Sequence, residues 1–167
     1  MTAITFPKRY VPSQLSQQDK KKQIAMLLQS KKMYNKKKYY TRKKLPSYKH
    51  IPSKHVIKAK NIYHVQHVIP NNELAQKTGC TVNALQQIVR KGEGAYYSSG
   101  SRPNQTPQSW GIARLASAIT AGKAAAIDYD IIQHGCNHKK MAYILANKSR
   151  KKYKHGHSHT PRKTFHM

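Results

Sequence analysis

The positive charge of this chain is concentrated at its two ends, and this distribution limits what each part can fold into. Residues 1–60 hold 17 Lys and Arg against one acid, and residues 139–167 hold nine with no acid. Residues 61–138 hold six basic residues against four acids. Segments of such high net charge do not collapse on themselves and need a polyanion or a partner surface to lie on. The sequence therefore predicts a near-neutral folded centre between two cationic arms.

The expected domain boundaries follow from this charge pattern. A basic, tyrosine-rich amino-terminal arm with one helix is expected at 1–52, a compact helical domain at 53–147 and a basic tail at 148–167. Apolar residues recur at helical spacing in short runs, and no run alternates convincingly as a strand does. The predicted fold class is all-α. It is a small bundle of five to six short helices, including a helix-turn-helix-like hairpin, with long extended arms at both ends.

Capping and helix-ending residues indicate where these helices begin and end. The expected starts are Ser16, Ser53, Asn72, Thr81, Thr106 and Asn137, and the expected ends are about Tyr34, Tyr63, Gly79, Gly122 and Gly135. Residues 124–135 are expected to form one helix, and a polar loop is expected from Gly94 to Thr106.

The apolar runs and the cysteine count of the chain indicate the cellular compartment in which it folds. No apolar run approaches the length of a membrane span, and the amino terminus lacks the hydrophobic core of a signal peptide. Two cysteines, Cys80 and Cys136, are too few for the disulfide framework of a small secreted domain. A reducing compartment is therefore favoured, with assembly or action inside the cell.

A stretch rich in lysine and tyrosine follows the first expected helix. Its cations can meet phosphates, and its tyrosine rings can stack on exposed bases. The other interpretation is a solvated basic linker whose tyrosines cover neighbouring protein. The candidate binding residues here are Lys36, Lys37, Lys38, Tyr39, Tyr40, Arg42, Lys43 and Lys44.

Residues 72–91 have the pattern of a helix-turn-helix. Ala75 allows the two helices to approach closely, and Gly79 suits the sharp turn. If the second helix read base edges, the outward-facing candidates would be Asn83, Gln86, Gln87 and Arg90. A tightly packed helical hairpin needs the same small and apolar residues, so a purely structural role stays open.

No arrangement of catalytic residues stands out. The five acids include no suitable carboxylate pair, and Gly122-Lys123 lacks the surroundings of a phosphate-binding loop. His134, Cys136 and His138 match no standard zinc spacing, and His155, His157 and His159 of the tail would bind metal only adventitiously. We expect no enzyme activity, no cofactor, no metal and no small-molecule substrate.

The segment 94–111, GAYYSSGSRPNQTPQSWG, carries only one charge, Arg102. Its hydroxyl and amide side chains can satisfy backbone groups along an irregular path. We therefore expect the segment to be structural, with Arg102 as a candidate partner contact.

Two stretches, residues 38–65 and 73–136, resemble an uncharacterised protein family of large double-stranded DNA viruses of algae and amoebae, with relatives in marine phages. The resemblance is carried by GAYYSSGSRPNQ at 94–105, followed by SW, ARLASAIT and GKA. It implies a viral origin, and no catalytic residue comes with it.

The favoured function is a non-enzymatic structural protein of a virus particle, a minor capsid protein inside the capsid. Its arms would bind other capsid proteins, the packaged double-stranded DNA, or both, after assembly in the host cell. The basic tail adds the candidates Arg150, Lys151 and Lys152. The alternative is a viral DNA-binding protein, regulatory or genome-condensing, that uses the 72–91 hairpin.

Overall fold

The structure is a computed structural model that describes residues 3–156 and 160–166. Within these residues it contains eight α-helices and a two-stranded antiparallel sheet. The helices are α1 Gln17–Asn35, α2 Lys54–Tyr63, α3 Asn72–Thr78, α4 Val82–Ser98, α5 Pro107–Ala118, α6 Lys123–Ile127, α7 Tyr129–Gly135 and α8 Met141–Tyr153. The strands are β1 Ala3–Pro7 and β2 Arg162–His166. The chain is mainly helical, as predicted, but the sheet was not expected.

The chain divides into two compact units. The first contains residues 3–51, 94–107 and 160–166, and the second contains residues 52–93 and 108–156. This division differs from the predicted arrangement of a central domain between two separate arms. The first and last described segments, 3–51 and 160–166, both belong to the first unit together with part of the polar segment 94–111.

The amino-terminal segment is folded, whereas an extended arm was predicted. β1 pairs with β2 in a register that places Ala3 opposite His166 and Ile4 opposite Phe165. The buried apolar residues of this unit include Phe6, Tyr10, Val11, Leu15, Ile24, Leu27 and Leu45. Net charge alone is therefore misleading here, because enough apolar side chains lie between the lysines to form a small core.

The second unit has its own apolar core, formed by side chains that include Leu74, Leu85, Ile88, Leu115, Ile119 and Ile132. Helices α4 and α5 approach closely at two glycines. A Cβ atom added at Gly92 would lie 2.5 Å from the Cα atom of Gly111. No side chain larger than hydrogen fits at this crossing without a shift of the backbone.

Three of the six predicted helix starts are confirmed by side-chain caps. The hydroxyls of Ser16, Ser53 and Thr81 accept hydrogen bonds from backbone N–H groups three residues later. Gly79 ends α3 in the left-handed conformation, with φ of 81°. The cap of α3 is Asn71 and not Asn72, because the Asn71 side chain accepts from the backbone N–H of Leu74 at 2.9 Å.

Several other predicted limits are wrong. Helix α4 continues to Ser98 instead of ending near Gly94, because the fully buried Tyr96 holds its last turn in the protein interior. The single helix expected at 124–135 is two helices, α6 and α7, which are separated at Asp128. The buried Asp128 carboxylate accepts two hydrogen bonds from Arg114, each of 2.8 Å.

Helices α5 and α8 also differ from the prediction. Helix α5 ends at Ala118, and Gly122 is instead the amino-terminal cap of α6. Helix α8 begins at Met141, because Asn137 forms a turn in which its side chain accepts from the Lys139 N–H. It continues to Tyr153 inside the predicted tail, and its Ser149 hydroxyl donates to the Gly122 carbonyl at 2.7 Å.

A disulfide joins Cys80 to Cys136 in the second unit. The sequence had favoured a reducing compartment for these two cysteines. The backbone brings them together, since the Thr81 N–H donates to the Gly135 carbonyl and the Asn137 N–H donates to the Gly79 carbonyl. The turn between α3 and α4 is thereby tied to the end of α7.

Candidate polyanion-binding surface

The first unit carries positive charge that its own acids do not balance. Its described residues include 17 Lys and Arg and a single acid, Asp19. That acid is buried, and its carboxylate accepts hydrogen bonds from the Ser47 hydroxyl at 2.5 Å and from the Ser47 N–H at 3.1 Å. These bonds lower the pKa of Asp19. No acid is therefore exposed on the part of this unit that the structure describes.

The densest group of these cations lies on the segment that follows α1. We call residues 36–49 the basic ribbon. Its backbone from 38 to 45 forms no helix or strand. The five lysines predicted as contact residues all lie exposed on the ribbon: Lys36, Lys37, Lys38, Lys43 and Lys44. The first three also lie at the carboxyl end of α1, where positive charge stabilises a helix.

Arg42 is the exception among the predicted contact residues of the ribbon, because it is buried. Its guanidinium donates to the Ser30 hydroxyl at 3.0 Å, to the Tyr96 carbonyl at 2.9 Å and to the Ser101 hydroxyl at 2.8 Å. It also lies over the Tyr96 ring at 3.8 Å from the centroid. Arg42 therefore satisfies a carbonyl in the last turn of α4 and is not a surface contact.

Burial lowers the pKa of the Arg42 guanidinium. Among the described residues, no carboxylate forms an ion pair with it. The partial negative charge at the carboxyl end of α4 replaces that carboxylate. The Ser30 hydroxyl donates to the neighbouring Tyr97 carbonyl at 3.2 Å. A side chain of α1 therefore also provides a hydrogen-bond donor for a carbonyl at the carboxyl end of α4.

Asn104 anchors the ribbon at a second place. Its side-chain oxygen accepts from the Leu45 N–H at 2.6 Å, and its amide donates to the carbonyls of Leu45 and Tyr48. Asn104 has a left-handed φ of 61°, a conformation that asparagine tolerates better than most residues. The polar segment 94–111 thus satisfies backbone groups, as expected, but those of the ribbon rather than only its own.

Four tyrosines form a row from the interior to the surface of the first unit. The buried Tyr96 meets Tyr97 edge to face, with ring centroids 5.2 Å apart. The ring centroids of Tyr97 and Tyr39 are 4.9 Å apart, and those of Tyr39 and Tyr34 are 6.4 Å apart. We call Tyr34, Tyr39 and Tyr97 the tyrosine platform. Tyr40, another predicted contact residue, is half-buried.

The remaining basic candidates lie elsewhere. Arg102 is exposed in the first unit. Arg150, Lys151 and Lys152 are exposed in the last turn of α8 in the second unit. The Arg150 guanidinium lies over the Tyr129 ring, 4.2 Å from its centroid.

The predicted base-reading residues lie on the first turns of α4. Asn83, Gln87 and Arg90 are exposed and Gln86 is half-buried. The Gln87 amide donates to the Asn83 side-chain oxygen at 2.6 Å, so these two groups partly satisfy each other. Asn83 and Gln87 line a shallow groove that also includes Asp130, whose negative charge repels phosphate.

The histidines expected not to bind metal have other contacts. His134 and His138 each make a 2.7 Å hydrogen bond to a backbone carbonyl, and His138 stacks on Tyr143. Within residues 3–156 and 160–166, no three His, Cys, Asp or Glu residues are grouped so that they could hold a metal ion. His157 and His159 lie outside the described residues.

A family model matches residues 7–135, which include the basic ribbon, the tyrosine platform and helices α3 and α4. The chain belongs to this family, DUF5824, which is described as a family of unknown function. The matched range of DUF5824 ends at Gly135, before α8 and β2. No curated protein and no solved structure matches the chain. Among the described residues, no helix has the length and apolar character needed to cross a membrane.

Proposed function

We propose that this DUF5824 protein is a non-enzymatic structural component of a virus particle, a minor capsid protein that contacts nucleic acid through the basic ribbon. The observation that carries the proposal is the charge of the first unit, in which 17 basic residues accompany one buried acid. A folded surface with a single sign of charge suits a polyanion, because each phosphate contact releases counterions.

The ribbon has the features of a contact surface rather than of a linker. Arg42 and Asn104 hold its backbone, and the lysines on either side of Arg42 remain exposed. A fixed backbone reduces the conformational entropy that is lost when the lysines bind, in contrast to a disordered arm. This supports a defined nucleic-acid contact and leaves the second unit for neighbouring capsid proteins.

The viral context comes from the sequence resemblance at 38–65 and 73–136. The capsid interior is where a protein of this charge would meet both a packaged genome and other structural proteins. We propose that localisation, with assembly inside the host cell. The partners are other capsid proteins and the genome, with no small-molecule substrate.

Salt-dependent binding tests the role of the ribbon. The full chain would be titrated with duplex DNA at several salt concentrations, beside a variant in which Lys36, Lys37 and Lys38 are replaced by Gln. Each lost phosphate contact reduces the slope of log affinity against log salt by about one. We expect a reduction of about two to three for this variant.

A matched control removes the same charge from another part of the first unit. Replacing Lys20, Lys21 and Lys22 of α1 by Gln also removes three positive charges, and should change the slope less. If the two triple variants lose the same affinity and slope, net charge alone accounts for binding and the ribbon is not a defined contact surface.

The second candidate function is reading of duplex DNA by the hairpin of α3 and α4. It is favoured by the exposure of Asn83, Gln87 and Arg90 on α4. It is opposed by Asp130 in the same groove and by the ties between the hairpin turn and the end of α7. Both features hinder entry of the start of α4 into a major groove.

Base preference distinguishes this second candidate. If α4 reads sequence, Gln86→Ala or Arg90→Ala will change the ranking of duplex sequences, with an effect of about 1–3 kcal/mol at one base pair. If these variants bind every sequence as the unaltered protein does, the hairpin is a scaffold.

A further inference from the structure

We infer that the tyrosine platform stacks on unpaired nucleobases, so that the basic ribbon binds single-stranded nucleic acid more tightly than a duplex. The inference rests on the proposed nucleic-acid contact and specifies that its ligand is single-stranded. It assigns a role to Tyr39, a residue that is 69% exposed although it lies in a folded part of the chain. The phosphates of the bound strand would lie against Lys36, Lys37 and Lys38.

The position of Tyr39 is held from both sides along the chain. The Lys38 N–H donates to the Met33 carbonyl at 2.9 Å, and the Arg42 N–H donates to the Tyr96 hydroxyl at 2.9 Å. Only three residues separate these two fixed points. The backbone that carries Tyr39 is therefore held by hydrogen bonds on both sides.

The ring of Tyr39 is supported from the interior. Tyr97 lies 4.9 Å from it, and Tyr97 meets the buried Tyr96 edge to face. Tyr96 in turn lies under the Arg42 guanidinium. Tyr39 stays mostly exposed although its ring lies near those of Tyr97 and Tyr34. The ring therefore contributes little to the core and can cover an apolar ligand face.

The ligand that fits a ring among lysines is an unpaired strand. In a duplex the bases are stacked on each other and present only their edges in the grooves, so a surface tyrosine cannot reach a base face. A single strand offers both phosphates and base faces, and stacking on an aromatic side chain tolerates any base. An acidic peptide would use the lysines but would gain nothing comparable from the ring.

The test compares four ligands of equal length, about 15 nucleotides, which spans the site of a typical single-strand-binding module. They are single-stranded DNA, single-stranded RNA, a DNA strand lacking its bases and the DNA duplex. Binding of the full chain is measured by fluorescence anisotropy, for the unaltered protein, Tyr39→Ala and the matched control Tyr39→Phe. Tyr39 is mostly exposed, and a thermal melt of each variant checks that it folds.

We expect Tyr39→Ala to weaken binding of both single strands on the order of tenfold, with no change in salt slope, because no charge is lost. Affinity for the duplex and for the strand without bases should not change. Tyr39→Phe retains the ring and should bind within about twofold of the unaltered protein.

The inference is overturned if Tyr39→Ala binds single strands as the unaltered protein does, or if it loses the same affinity for all four ligands. It is also overturned if polyglutamate competes as well as single-stranded DNA does. In each case a lysine-dependent salt slope would leave the proposed function standing. If no nucleic acid binds in a salt-dependent way, the proposed function fails as well.

Discussion

Replacement of Arg42 by Ala tests the statement that this residue is an anchor and not a contact. Its guanidinium makes three hydrogen bonds and lies over the Tyr96 ring. Since α4 ends at Ser98, the Tyr96 carbonyl lies in its last turn, where carbonyls lack intrahelical partners. Without Arg42 this carbonyl loses the partner that the structure provides.

The cost has two main parts. A buried carbonyl without a partner costs about 1–3 kcal/mol, and a buried cation–π contact contributes up to about 2 kcal/mol. The Ser30 and Ser101 hydroxyls keep other acceptors, since they also donate to the carbonyls of Tyr97 and Arg102. Removal of the buried guanidinium also removes its desolvation cost, and this offsets part of the lost stability. We therefore expect the first unit to be destabilised by about 2–4 kcal/mol.

Hydrogen exchange followed by mass spectrometry reports this loss by segment. Protection should fall in peptides from α1 and from residues 94–105, and Arg42→Lys should give a smaller effect because it keeps the charge but not the planar fork. The neighbouring exposed residue provides the control, and Lys43→Ala should change stability by less than about 0.5 kcal/mol. Arg42→Ala with unchanged protection in these peptides would refute the anchoring role.

Three further predictions concern stability. Gly92→Ala should destabilise the second unit by about 1–3 kcal/mol in urea denaturation, because the added methyl group would meet the Gly111 backbone of α5. Gly94→Ala should instead stabilise α4 by about 0.5–1 kcal/mol, because a Cβ atom there has nothing within 4 Å. Reduction of the Cys80–Cys136 disulfide, which spans 56 residues, should cost about 4 kcal/mol, measured as a shift of the denaturation midpoint with and without reductant. The pKa of Asp19 is lowered in the folded chain, so its contribution to stability is present above its ordinary pKa of 3.8 and is lost as the pH falls through the lowered value. Asp19→Asn should therefore be less stable than the unaltered protein at pH 6, with a difference that narrows in melts below pH 3.8.

The local structure could be read from the sequence where a residue acts on its own neighbours. Ser16, Ser53 and Thr81 cap helices through bonds to residues three positions later, and Gly79 ends α3 by its own backbone freedom. Such effects need no knowledge of the rest of the fold. The predominantly helical character followed from the same short-range signals.

The arrangement of the first unit could not be predicted in this way. β1 and β2 lie at opposite ends of the chain, and neither has a strong alternating pattern. Arg42 looked like one more cation in a basic run, because its acceptors lie in segments more than fifty residues away or on the preceding helix. The sequence did contain a weak signal. The segment 94–111 is polar and nearly uncharged in a highly basic chain, which suggests that its side chains form hydrogen bonds with backbone groups of other segments.

Ultraviolet crosslinking in purified, nuclease-treated virions tests the central proposal most directly, with peptides carrying nucleotide adducts identified by mass spectrometry. We expect the chain to be present in the particle and the adducts to fall on peptides of the basic ribbon, residues 36–49. The proposal is contradicted if the chain is absent from the particle, or if adducts occur only on α4 between Asn83 and Arg90.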